Sequence, residues 1–237
     1  MFHSIISGAC RASRNTSSAG MSLLHEVNIP TKKATFALGC FWGPDSYFGA
    51  TKGVIRTRVG FTGGSKGLPS YKNLGDHTEA IELDYDPNEI SYKQLLDIFW
   101  EIHDPTARMT KQYTSIIFYH DAEQKDLAEK TLKEQESKHK NPIVTTVVPA
   151  QEFYNAEDYH QKYRLQQHSF LMENIKLRPK TEDLTKSHLA ARLNGYVVGC
   201  GGVKQFDDEV KKLGLSDNVA AYVRKLVVKY EGQGLFC

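Results

Sequence analysis

Residues 33–50 read KATFALGCFWGPDSYFGA, an apolar run that stops at Gly39 and resumes in a helix-like segment from Gly43. "KATFALG" has the composition of a strand, and Pro44 suits the first turn of a helix. The join between them carries one thiol, Cys40, beside Phe41 and Trp42. A cysteine in that place has two readings. It can be a small buried hydrophobe, or a nucleophile facing the unpaired N–H groups of a helix N-terminus, whose dipole favours the thiolate.

Outward from this unit, strands and helices alternate. "GVIRTRVGF" is a strand, "TGGSKGLPSYKNLGDH" a loop, and "TEAIELDY" an alternating strand. In the last of these Glu79, Ile81, Leu83 and Tyr85 share one face, and Glu82 and Asp84 point the other way. "SYKQLLDIFWEIH" is a helix opened by Ser91 and Gln94 at capping-box spacing, with Leu95, Phe99 and Ile102 on a common face. A strand "TSIIFYH", a helix capped by Asp121, a strand "IVTTVVPA" and a helix "NAEDYHQKYRLQQHSFL" complete the pattern. This order implies an α/β (α+β) two-layer sandwich, a mixed sheet with helices packed on it. From residue 179 a helical C-terminal extension follows, with helices "KQFDDEVKKLG" and "SDNVAAYVRKLVVKY". The expected organisation is residues 1–21 as a leader, 31–178 as the catalytic domain and 179–237 as the extension.

The chain has 237 residues, 40% hydrophobic and 24% charged, with a net charge of +2. That balance is ordinary for a globular protein and leaves no electrostatic footprint for nucleic acid. No apolar run reaches the length of a membrane span. The first twenty residues hold Arg11, Arg14 and five serines but no carboxylate, which fits a mitochondrial transit peptide or a disordered tail. Met21 could serve as an alternative start, so the expected location is cytoplasmic, with a mitochondrial form through the N-terminal segment. The four cysteines are Cys10, Cys40, Cys200 and Cys237. None forms a C-x-x-C pair, and the spacing suits neither a zinc site nor a small disulfide scaffold. Cys10 falls in the leader and is set aside.

Glu79 turns Cys40 toward chemistry. It is the polar member of a face that is otherwise apolar, and a carboxyl in such a site keeps its proton toward neutral pH. A kept proton makes a general acid; a strand-end Glu that escapes to solvent is the plainer alternative. Tyr71 and Tyr113 offer neutral O–H donors on loops. Cys200, in "GYVVGCGGV", and Cys237, in "GQGLFC", sit among glycines that would let a loop carry a second sulfur toward the first.

From Lys33 to Lys176 the sequence resembles peptide methionine sulfoxide reductase, type A. "GCFWG" is a highly specific signature of that family, and "VGFTGG", "PSY", "DHTE", "HDPT", "QYTSIIF" and "FYNAEDYHQKY" follow in its order. The resemblance implies reduction of methionine sulfoxide, free or in proteins, with selectivity for the S epimer. It implies that Cys40 attacks the sulfoxide sulfur, that Glu79 protonates the oxygen and that Tyr71 and Tyr113 hydrogen-bond it. Phe41 and Trp42 would hold the methyl group. A sulfenic acid on Cys40 would then condense with Cys200 or Cys237, and thioredoxin would supply the electrons. The implied protein is a monomer with no metal or organic cofactor. Two departures stand out: "ARMTK" replaces a longer stretch carrying an Asp that orders the family's active site, and Asp45 stands where Glu is commoner. Other readings of the same residues are a cysteine hydrolase with His77 as base and a non-catalytic module that cages a methyl group between Phe41 and Trp42.

Overall fold

Apolar residues at alternating positions build the strands of one six-stranded sheet in the order β5-β4-β1-β3-β2-β6. The structure, a computed structural model, describes residues 22–234. The strands are β1 (Lys32–Leu38), β2 (Val54–Thr62), β3 (Thr78–Tyr85), β4 (Ser115–Tyr119), β5 (Thr146–Pro149) and β6 (Tyr154–Asn155). Only β4 and β5 run parallel; the other pairs are antiparallel, so the sheet is mixed as the sequence implied.

One face of the sheet is buried under α1 (Trp42–Ala50), α2 (Tyr92–Glu101) and α3 (Ala122–Glu136). Phe36, Ile81 and Leu83 meet Phe48, Leu95 and Phe99 there, all fully buried. Each such side chain contributes about 1.5–3 kcal/mol of burial free energy. The capping box at Ser91 and Gln94 opens α2, and Asp121 caps α3 by accepting the Gln124 N–H. The other face is not open to water as strict alternation suggests. Glu82 is almost fully buried there, holding Lys33 Nζ at 2.7 Å and Arg58 Nη2 at 2.6 Å.

The long helix expected over residues 155–171 does not form. The segment is a 3-10 turn (Asp158–His160), α4 (Tyr163–Gln166) and α5 (Ser169–Ile175). Gln161 bonds through its side chain to both backbone groups of Val59, and Lys162 adopts a left-handed conformation, φ 50°. These long-range bonds outweigh local helix propensity.

Among its described residues the C-terminal extension has four helices, not the two expected: α6 (Thr181–Leu184), α7 (His188–Tyr196), α8 (Gly202–Glu209) and α9 (Asp217–Tyr230). They enclose a second apolar core around Leu193, Phe206 and Val223. Helix α7 lies directly on α1. A Cβ at Gly49 would stand 2.4 Å from Ala191 O, and one at Gly195 would stand 2.4 Å from Ser46 O. Only glycine permits this approach. Cys200 follows α7 in a turn where Gly199, Gly201 and Gly202 all have positive φ. That turn is packed, not loose: Glu231, at the end of α9, accepts the Val203 N–H. Residues 1–21, the expected leader, and Cys237 lie outside the described residues. Among the described residues no helix is long and apolar enough to cross a membrane.

Candidate active site

Cys40 lies between the end of β1 and the start of α1, and β3 brings Glu79 beside it. Helix α1 begins at Trp42, with Phe41 as its N-cap. The Phe41 N–H donates to Glu79 Oε2 at 3.1 Å. A residue adjacent to the thiol therefore grips the carboxyl directly. The other oxygen, Oε1, accepts the Gln112 side-chain N–H at 2.8 Å. Glu79 is 1% exposed. Burial pushes its carboxyl above the ordinary range, and the two N–H bonds, which favour the charged form, only partly oppose that.

The 3-10 turn Lys111–Tyr113 delivers two neighbouring side chains to the site. Gln112 goes to the carboxyl, and its own carbonyl is pinned by Thr78 Oγ1 at 2.9 Å. Tyr113 takes the next place. Its phenol is pushed up to about 12 by burial and by the proximity of Glu79, Tyr71 and Cys40, with Tyr71 in hydrogen-bond contact. The structure thus brings Cys40, Glu79, Tyr71 and Tyr113 together. Gln112 was not singled out from the sequence, although it stands within "QYTSIIF" beside a residue that was.

Aromatic rings wall the site. Trp42 stacks on Tyr163 with ring centroids 3.9 Å apart and planes 8° apart, and its Nε1–H donates to His160 Nδ1 at 3.2 Å. Phe41 is 2% exposed and packs against Val59, Phe61 and Ala156, so it forms the floor rather than the rim. Tyr71 is more than a third exposed, with its ring 4.6 Å from that of His160. Its backbone N–H is held by Glu157. Burial lowers the His160 pKa, so the ring is neutral near pH 7 and can accept the indole proton. His160 and Tyr163 are further site residues that sequence reasoning missed, in the block "FYNAEDYHQKY".

Behind the aromatic wall lies a buried ion pair. Asp45 Oδ1 receives Lys162 Nζ at 3.1 Å and the Thr57 hydroxyl at 2.5 Å; Oδ2 receives the Lys162 N–H and, at 3.2 Å, the Asn194 side-chain amide. Both charged side chains are fully buried. Burial presses the Lys162 ammonium below its ordinary value, and the Asp45 carboxylate counters it. The pair fixes the backbone between His160 and Tyr163, and Asn194 ties α7 into it. Asp45, one methylene shorter than Glu, is thus completed by a residue of the extension.

His77 is occupied elsewhere. Its Nδ1 accepts the Gly64 N–H at 3.3 Å and its ring meets Tyr154 edge-on. That bond commits Nδ1 to the Gly64 loop and counts against the hydrolase reading, in which the ring serves Cys40. Cys40 and Cys200 are both half-buried, and both line one cavity of about 850 Å³. Burial pushes the Cys200 thiol up to about 12. Among the described residues no three His, Cys, Asp or Glu side chains gather as a metal site.

Comparison with known proteins gives the family. Residues 32–193 match the family model of peptide methionine sulfoxide reductase, and residues 180–227 match the helical domain of selenoprotein methionine sulfoxide reductase A. A peptide methionine sulfoxide reductase of Drosophila melanogaster is 47% identical over 220 residues, 92% of this chain and 89% of that protein. One from Methanosarcina acetivorans is 46% identical over 160 residues, 62% of this chain and 85% of its own. Reduced Mxr1 from Saccharomyces cerevisiae superposes with a TM-score of 0.56 at 29% identity, covering 61% of this chain and 90% of that one. Methionine sulfoxide reductase A of Corynebacterium diphtheriae gives a TM-score of 0.52 at 29% identity, covering 62% and 82%. With a family model spanning more than half its length and a close relative along nearly all of it, the chain belongs to the peptide methionine sulfoxide reductase family of oxidoreductases.

Proposed function

We propose that this enzyme reduces methionine-S-sulfoxide, free or within proteins, through a sulfenic acid on Cys40 and an intramolecular disulfide. The observation that carries the reading is the buried Glu79 carboxyl held by the Phe41 N–H, next to the thiol. A sulfoxide is a poor electrophile until its oxygen is protonated. Glu79 supplies that proton while Cys40, as thiolate, attacks the sulfur. Tyr71 and Tyr113 donate hydrogen bonds to the same oxygen and add no charge. The methyl group rests on Trp42, over the Phe41 floor. Oxygen, methyl and line of attack are then three fixed points around a chiral sulfur, so only one epimer fits productively.

Methionine leaves and Cys40 carries the oxygen as sulfenic acid. Cys200 condenses with it, releasing water and forming a disulfide. Cys237, on the tail beyond the described residues, is the second candidate resolver, and the two can act in relay. Thioredoxin then reduces the disulfide, so each cycle consumes one dithiol and one sulfoxide and yields methionine, water and one disulfide. No metal or organic cofactor takes part, and the expected working form is a monomer.

Turnover of a dabsylated methionine sulfoxide with dithiothreitol tests the reading. The S epimer is reduced and the R epimer is not; Cys40→Ser abolishes the activity, and Glu79→Gln lowers it by a factor of about 10²–10⁴. Ester cleavage without reductant, or full activity in Cys40→Ser, would overturn it.

A further inference from the structure

Cys40 borders two spaces. Toward β3 stand Glu79 and Tyr113, with Tyr71 in hydrogen-bond contact with Tyr113, the groups proposed above to hold the substrate oxygen. Toward α1 lies the 850 Å³ cavity, walled by Pro44, Tyr47, Ile102, Cys200 and Gly234. Cys40 lines that cavity, whereas Phe41, Trp42, Tyr71, Glu79 and Tyr113 do not. The acid and the candidate resolving thiol therefore approach the same cysteine from different sides.

Displacement at a divalent sulfur demands a nearly straight line through nucleophile, sulfur and leaving group. In a Cys40 sulfenic acid the leaving group is hydroxide, which departs poorly unless protonated. We propose that Cys200 attacks from the cavity, in line with the S–O bond, and that Glu79 acts a second time by protonating the departing hydroxide. This rests on Cys200 being the resolving thiol. The step balances. The Cys200–Cys40 S–S bond forms, the Cys40 S–O bond breaks, Cys200 is oxidised and Cys40 is reduced. The Cys200 proton is lost to solvent, the Glu79 proton leaves in water, and Glu79 is reprotonated from solvent. With Glu79 held above its ordinary pKa by burial, the proton is back in place before the second use. Product methionine need not vacate the substrate side for Cys200 to arrive.

The test uses the full chain with Cys10 and Cys237 both changed to Ser, leaving Cys200 as the only partner for Cys40. Excess hydrogen peroxide oxidises Cys40, and tryptophan fluorescence, with Trp100 changed to Phe so that Trp42 alone emits, reports two phases: one proportional to peroxide, and one independent of it that is disulfide formation. Glu79→Gln slows the second phase at least tenfold. In a parallel arm Cys40 carries thionitrobenzoate, whose thiolate departs without a proton, and its release by Cys200 stays within twofold in Glu79→Gln. An unchanged peroxide-independent phase, or equal slowing in both arms, overturns the second use of Glu79. Persistence of that phase in Cys200→Ser instead sinks the assignment of Cys200, which separates the two failures.

Discussion

Replacing Gln112 by Leu removes one N–H donor from the general acid and leaves a similar volume. In the structure that donor lies 2.8 Å from Glu79 Oε1, in a buried site. A hydrogen bond to a charged acceptor is worth about 1.5–3 kcal/mol, and most of it is lost when the acceptor is neutralised. Deleting it takes that stabilisation from the charged form alone, so the Glu79 pKa rises. Burial already holds that pKa up and the Gln112 bond pulls it down, so the sign is upward. Glu79 then stays protonated to higher pH, and the alkaline limb of kcat/KM for methionine sulfoxide reduction moves up with it. Initial rates with dithiothreitol in saturating excess, taken from pH 6 to 10, measure it. A limb that stays in place, or moves down, would refute the claim that this amide tunes the acid.

Lys162→Met leaves Asp45 buried without its cation and lowers unfolding free energy by about 3–5 kcal/mol, read by urea titration; adding Asp45→Asn recovers part of the loss. Gly195→Ala forces a Cβ to within 2.4 Å of Ser46 O and costs about 1–3 kcal/mol, seen as a lower Tm. Glu79→Gln gains on the wild type in stability as pH rises. The folded-state pKa of Glu79 lies above its unfolded value, so its favourable contribution is present below the unfolded value and lost as pH climbs through the folded one. Melting curves at pH 5 and pH 9 show a gap that widens toward alkali, and a constant gap would contradict the burial.

Much of the site was legible because it depends on local pattern. Period-two alternation puts Glu79 on the apolar face but leaves escape to solvent at the strand end open, the Gly39–Pro44 join places Cys40 at a helix entrance, and Ser91 with Gln94 announces α2. What escaped depends on distant partners. Residues 155–171 have helical composition, but Gln161 and Lys162 find their hydrogen bonds on β2 and α1, and no local signal reports that. Helix α7 was hidden for a similar reason. Asn194 and Gly195 look like turn residues until α1 is set against them, where one accepts and donates to buried groups and the other makes room. Gln112 has no periodicity to betray it; only the folded 3-10 turn aims it at the carboxyl.

The glycine seam between α1 and α7 means that the appended helices are no passenger. Shortening the chain near residue 180 would not yield a trimmer catalyst. It would leave an apolar scar along the very helix that starts beside the reactive sulfur, and a carboxylate missing one of its donors. Such a fragment would be sticky before it was inactive, because the surface it bares was shaped to fit one neighbour alone.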